Sequence, residues 1–326
     1  MTFAKKALCI GTAASLGLAA AASAATTLNA AGASFPAPFY QRAFAGLAAK
    51  GDVRVNYQSV GSGAGVRQFV AGTVNFAASD EPIKASEAAK VKRGVVQFPA
   101  VGGTIAIAYN KADCKGLKLS QKQAVDLFLG KITSWEQLKC GKGKITVAHR
   151  SDGSGTTFAF TNSLSAFSSE WKSKVGEGKS VKWPVGIGGK GNEGVAGVLS
   201  NTPGSIGYVN QSFVRGKLKA AALQNKAGKY VLPTLASGAA ALNNIRLDGN
   251  LAGEDANPAG AGSYPISTLT WILAYKTGNG SNAGAIRQAM LYLLGQAQNQ
   301  AGGLGYVPLK GDILNKAKAA VAKIGA

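Results

Sequence analysis

Three short stretches of glycine, serine and other small residues each stand directly before an apolar pattern of helical spacing, and they narrow what this chain can fold into. Ala31-Gly32-Ala33-Ser34-Phe35-Pro36-Ala37-Pro38 precedes Tyr40, Phe44 and Leu47. Gly61-Ser62-Gly63-Ala64-Gly65 follows the alternating run Val53, Val55, Tyr57 and precedes Val66, Phe69 and Val70. Asp152-Gly153-Ser154-Gly155-Thr156-Thr157 follows a strand-like run at 145–148 and precedes Phe160, Leu164 and Phe167. The second and third read as strand, small-residue turn, helix, and the strand before the first is short, at 28–30. Residues 103–109 and 268–275 read as buried strands. Helical spacing recurs at Ile286, Met290, Leu293, Leu294 and Ala297, and again at Ile313, Ala317, Val321 and Ile324. Such alternation is the pattern of an α/β protein. Residues 186–194 and 248–262 read as loops. The 326 residues leave room for about two domains. With no repeat and no flexible linker, any boundary between them must be crossed by strands.

The start of a helix presents unpaired N–H groups and a partial positive charge, which suits an anion. Glycine lets backbone approach a ligand closely, and Ser34, Ser62, Ser154 and Thr156 add hydroxyls. A single turn of this kind is usually no more than an N-cap. Three of them, with Arg150 beside the third, point to an oxyanion site. Other patterns are weaker. Gly189-Lys190-Gly191-Asn192-Glu193-Gly194 matches GxGxxG, but no clear βαβ unit surrounds it and it reads as a plain loop. Ser154 lacks the glycine two positions earlier that a nucleophile elbow requires. His149, the one histidine, reads as a strand residue beside Arg150.

Lys5 and Lys6 precede an uncharged, small-residue-rich stretch ending in Ala22-Ser23-Ala24, the layout of a cleaved secretory signal peptide at residues 1–24. Its removal takes two lysines and Cys9 and lowers the formal charge from +21 to +19. In an oxidising compartment Cys114 and Cys140 can pair; two buried free thiols are the alternative. One histidine and three cysteines leave too few ligands for a zinc or iron–sulfur centre, so no metal or cofactor is expected. The excess of lysine and arginine is scattered, with no long basic run interleaved with aromatics, so nucleic acid is not expected as a partner. A secreted hydrolase using Ser62 or Ser154 remains open at this point, although no histidine base is paired with either. So does a basic surface protein that binds nucleic acid.

The turns resemble those of the PstS-type periplasmic phosphate-binding proteins of phosphate ABC transporters. The matching stretches are AGASFPAPFY (31–40), VNYQSVGSGAGVRQF (55–69), VNFAASDEPI (74–83), RSDGSGTTFAFT (150–161), WPVGIGGKGNEGVAG (183–197) and PGSIGYV (203–209), with a weaker extension at 264–273. The resemblance implies a type II-like fold of two α/β lobes, each a mixed sheet flanked by helices, joined by crossing strands and closing over one ligand. By analogy residues 25–110 plus 271–326 form one lobe and 111–270 the other. It places phosphate contacts on Ala33, Ser34, Phe35, Ser62, Asp80, Arg150, Ser154, Gly155 and Thr156, with Asp152 bracing Arg150. It further implies a periplasmic, non-enzymatic monomer whose partners are inorganic phosphate and the membrane permease subunits of a transporter. Glu81 adds a carboxylate for which the resemblance gives no role.

Overall fold

The period-two and all-apolar runs form strands, and the runs of helical spacing pack over them. The computed structural model describes residues 25–326 together with residue 2; the expected signal peptide, apart from residue 2, lies outside the described residues, and so does Cys9. In chain order the first strands are β1 (Thr26–Gly32), β2 (Val53–Ser59), β3 (Phe76–Ser79), β4 (Val95–Asn110), β5 (Lys118–Leu119) and β6 (Thr146–Arg150). They are followed by β7 (Ile187–Gly189), β8 (Ser205–Asn210), β9 (Lys219–Ala220), β10 (Ala222–Gln224), β11 (Tyr230–Val231) and β12 (Ser267–Tyr275). The main sheet runs β2-β1-β3-β12-β4-β8-β6-β7, with β9 on β4, and a small sheet holds β11-β10-β5.

Two parallel sets lie at the ends of this sheet. β1 pairs in parallel with β2 and β3, and the helices Ala37–Ala48 and Ser62–Ala71 carry the chain between them. β6 pairs in parallel with β7 and β8, with the helices Gly155–Phe167 and Gly191–Asn201 in the connections. Parallel neighbours need such crossovers, which is why β1, β2, β6 and β7 each end in a turn that opens a helix. β4 joins the two sets. Its residues 95–104 pair antiparallel with β12, and its residues 105–110 pair antiparallel with β8. The result is the mixed, two-lobe α/β architecture with strands crossing between the halves.

β4 is longer than its sequence pattern suggests because Pro99, Gly102 and Gly103 interrupt the apolar run. Pro99 cannot donate to a ladder, and the register shifts at Thr270/Trp271, directly opposite it. A β carbon on Gly103 would meet the Phe35 ring 2.9 Å away, so glycine there lets the first small-residue turn seat against the crossing strand.

Residues 186–194, expected as a loop, instead form β7, a tight turn at Gly191 and the start of the helix Gly191–Asn201. The GxGxxG stretch therefore does sit within a strand–helix–strand unit, β7 to β8. A three-residue strand of Ile-Gly-Gly carries too little apolar signal to be seen as one. The helix read through Ile324 ends at Val321, and Ile324 is buried just beyond it.

Cys114 and Cys140 form a disulfide, with Cα atoms 4.9 Å apart. It closes the segment that holds β5 and the Gln121–Phe128 helix. Mass spectrometry of the non-reduced mature protein is expected to show one cross-linked peptide and no free thiol, and Cys140→Ala to lower stability by roughly 2–4 kcal/mol in denaturant unfolding. Two alkylatable thiols in the native protein would contradict this.

Candidate functional site

Four helix-opening turns meet where the two halves of the sheet face each other. The Gly63 N–H donates to the Gly153 carbonyl at 2.8 Å, bringing the second turn against the third. A β carbon on Gly155 would lie 2.7 Å from Asp80 Cβ, so only glycine lets the third turn approach the loop after β3 this closely. Thr156 Oγ1 donates to Asp80 Oδ2 at 3.1 Å. The Asn192 main-chain and side-chain N–H groups donate to Ser34 Oγ at 2.9 and 3.0 Å, and its side chain also reaches Thr156 Oγ1 at 3.1 Å. Ser34, Ser62, Asp80, Arg150, Ser154 and Thr156 are all almost completely buried.

Arg150 ends β6 and is held rigidly. Its Nε and Nη2 donate to the two Asp152 carboxylate oxygens at 2.7 and 2.6 Å. Its backbone N–H donates to the Tyr208 hydroxyl at 3.1 Å, and Tyr208 in turn stacks on Phe160 with ring centroids 4.2 Å apart. The third guanidinium nitrogen, Nη1, is buried and has no partner among the described residues. Burial works against charge on Asp152, but Arg150 and the Gly191 N–H at 3.0 Å prevail and hold its carboxyl below the usual range.

Asp80 is the counterpart. One carboxylate oxygen takes the Thr156 hydroxyl, while Oδ1 is buried without a partner among the described residues. Burial lifts its pKa from 3.8 to about 6, although the Thr156 hydroxyl, the Arg150 charge and the nearby Thr270 hydroxyl, which itself donates to the Ser79 carbonyl at 3.4 Å, pull it back. A buried donor and a buried acceptor, each left over, ask for a molecule that offers both functions.

The hydroxyls are polarised by what they already accept. Ser34 Oγ accepts from Asn192, Ser62 Oγ from the Asp80 N–H at 3.2 Å, and Ser154 Oγ from the Thr157 N–H at 2.9 Å. Each keeps its one proton to donate. Thr156 has given its proton to Asp80, so what it has left for a ligand is its backbone N–H. The Ser34, Phe35, Gly155 and Thr156 amides find no acceptor among the described residues. Ala33 is different: its N–H donates to the Ala78 carbonyl and its own carbonyl accepts from Tyr57, so it frames the turn. Phe35 is anchored through its carbonyl, which accepts from Tyr306 at 2.6 Å.

Sequence reasoning missed Asn192, whose side-chain oxygen also takes the Asn210 N–H at 2.8 Å. Its signal was the glycine pair at 189 and 191 ahead of Val195, Val198 and Leu199 at helical spacing. Tyr40, read as an apolar helix position, carries a buried hydroxyl without a partner whose ionisation burial and the Asp80 charge oppose. His149 stacks on Trp183 and places Nδ1 3.0 Å from the Arg150 carbonyl, and neither Ser62 nor Ser154 has it as a hydrogen-bond partner. Among the described residues, no three His, Cys, Asp or Glu side chains gather as a metal would require, and no helix is long and apolar enough to cross a membrane.

Residues 19–293 match the PBP superfamily domain. The chain is 41% identical over 310 residues to the phosphate-binding protein PstS of Pasteurella multocida, covering 90% of each. It is 40% identical over 309 residues to the phosphate-binding protein PstS of Xylella fastidiosa strain Temecula1, covering 90% of this chain and 84% of that one. Its fold matches the solved phosphate-binding protein of Stenotrophomonas maltophilia with a TM-score of 0.73 at 21% identity, over 90% of this chain and 93% of the other.

The raised pKa of Asp80 has a consequence for stability. Its stabilising contribution is fully present below about pH 4, where the carboxyl is protonated in both states, and is lost as pH rises through about 6. A shift of this size corresponds to on the order of 3 kcal/mol. Denaturant unfolding of the refolded, anion-stripped protein from pH 4 to 7.5 should show wild type losing stability relative to Asp80→Asn. A constant difference across that range would contradict the placement of Asp80.

Proposed function

The chain belongs to the PstS family of phosphate-binding proteins, and from that premise we propose that it is a periplasmic monomer that captures inorganic phosphate between its lobes and hands it to the permease subunits of a phosphate ABC transporter. One observation carries the reading: Arg150 Nη1 and Asp80 Oδ1 are a buried donor and a buried acceptor with no partner among the described residues. Phosphate near neutral pH is an anion that still holds a proton, so it needs both.

The residues divide the work by charge. Arg150 supplies the cation, pre-aimed by Asp152. The Ser34, Ser62 and Ser154 hydroxyls and the Ser34, Phe35, Gly155 and Thr156 amides supply neutral donors, several of them at helix starts where the dipole favours negative charge. Asp80 accepts the proton that phosphate retains. Sulfate brings none, and it would set an oxygen lone pair against a carboxylate in a site closed to water. A site that leaves such a buried group unpaired can reject an analogue by roughly 10⁴–10⁵.

The donors come from both sides of the crossing strands: Ser34, Ser62 and Asp80 from residues 25–110, and Arg150, Ser154, Gly155 and Thr156 from residues 111–270. We take 25–110 plus 271–326 and 111–270 as lobes that close on the ligand, bending where β4 leaves β12 for β8. No chemistry on the anion is proposed: among the described residues neither Ser62 nor Ser154 donates to a base. A p-nitrophenyl phosphate assay is expected to show no turnover.

Isothermal titration of phosphate-stripped variants against phosphate and sulfate tests the division of roles. Asp80→Asn should narrow the phosphate-over-sulfate preference mainly by admitting sulfate, because the amide can donate to a fully deprotonated oxygen. Arg150→Ala should weaken every oxyanion, since it removes the buried cation. An Asp80→Asn protein that still rejects sulfate as wild type does would overturn the selector role of Asp80.

A further inference from the structure

Lys179, in the segment beyond the Ser169–Lys174 helix, reaches across to the loop that carries Asp80. Its ammonium donates to Glu87 Oε1 at 3.0 Å and lies at an ion-pair distance of 2.8 Å from Glu81 Oε2, where the angle makes no hydrogen bond. The Glu81 side chain is 4% exposed and that of Lys179 15%, so the contact is largely removed from water. Lys84 stands 3.3 Å from the other Glu81 oxygen, so Glu81 lies between two cations. The Lys179 main chain is equally placed: its carbonyl accepts the Ser154 N–H at 2.8 Å. One residue thus supports the cap of the third anion-binding turn with its backbone, while its side chain grips the neighbour of Asp80.

We propose that Lys179 is a closure latch, a positioning residue whose ion pairs with Glu81 and Glu87 hold the lobes shut around phosphate and set the rate of its release. The proposal rests on the phosphate reading above and deepens it. Lys179 belongs to residues 111–270, and its partners to residues 25–110, so parting the lobes breaks both pairs and returns the charges to water. Other side-chain bonds between the two lobes join neutral donors, such as the Ser212 and Tyr306 hydroxyls at 2.8 Å and the Trp271 indole to the Leu251 carbonyl at 2.8 Å, or, as with the Ser59 hydroxyl to Glu193 at 3.0 Å, reach a single exposed carboxylate. Burial disfavours charge on Lys179, yet the two carboxylates prevail and keep its ammonium above the ordinary pKa. A group that is engaged after the lobes meet acts on dissociation, and association is left nearly alone. This also gives Glu81 its place.

The test is stopped-flow phosphate binding and release on the mature protein as wild type, Lys179→Gln, Lys179→Arg and Glu81→Gln, each first stripped of phosphate. Lys179→Gln and Glu81→Gln should release phosphate about tenfold faster, with association within about threefold of wild type. Lys179→Arg, which keeps the charge, should return release to within about threefold of wild type. Thermal melting of the stripped proteins identifies any variant that fails to fold, in which case Glu87→Gln takes its place in the comparison. Release at the wild-type rate from the glutamine variants, or no recovery with arginine, would overturn the latch. A wild-type protein that does not bind phosphate would overturn the functional reading itself, and the latch with it.

Discussion

The two hydrogen bonds between Arg150 and Asp152 are the constraint on which the rest of the site depends. An arginine side chain at a strand end has four rotatable bonds, and fixing it costs conformational entropy that a ligand would otherwise have to supply. Here Asp152 fixes it in advance through a fork of 2.7 and 2.6 Å contacts. The same carboxylate accepts the Gly191 N–H and so ties the turn before Asn192 to the guanidinium. Buried ion pairs are weak contributors to stability once desolvation is counted. What this one provides is direction: two nitrogens are consumed and Nη1 is left without an acceptor among the described residues.

From that point the polarity of the site follows by exclusion. Asn192 and the amides of Asp80 and Thr157 all point N–H groups at serine oxygens, so the serines become donors. Thr156 is turned the other way, toward Asp80, and leaves one carboxylate oxygen as the acceptor without a partner. The site is therefore mostly donors around one acceptor. In the proposed reading that asymmetry, and not the net charge of the chain, is what distinguishes a protonated oxyanion from a bare one.

The parts of this legible in the sequence were those with a strong local cause. Gly61-Ser62-Gly63 and Asp152-Gly153-Ser154-Gly155 announce helix starts because small residues and an apolar run of helical spacing occur together. The residues flanking Ile286 and Ile313 declare their helices by periodicity alone. The β7 turn stayed hidden because Ile187-Gly188-Gly189 has no strand signature, and its strand character comes from pairing with β6. With it went Asn192, which lies far in sequence from Ser34 and Thr156 and meets them only through the sheet order. The full length of β4 was hidden for a similar reason, since the bulge opposite Pro99 is a property of β12 as much as of β4. Glu81 carried no readable role because its partner Lys179 is distant in the chain and stands in a segment of weak pattern. Local chemistry was readable; long-range pairing was not.

The central claim is that one ligand satisfies both leftover atoms at once, and a crystal structure of the phosphate-bound protein tests it most directly. The account predicts a phosphate oxygen about 2.5–2.7 Å from Asp80 Oδ1, the distance of a hydroxyl on a carboxylate, and another about 2.7–2.9 Å from Arg150 Nη1. Phosphate bound elsewhere, or bound with Asp80 Oδ1 beyond hydrogen-bonding distance of every phosphate oxygen, would contradict it.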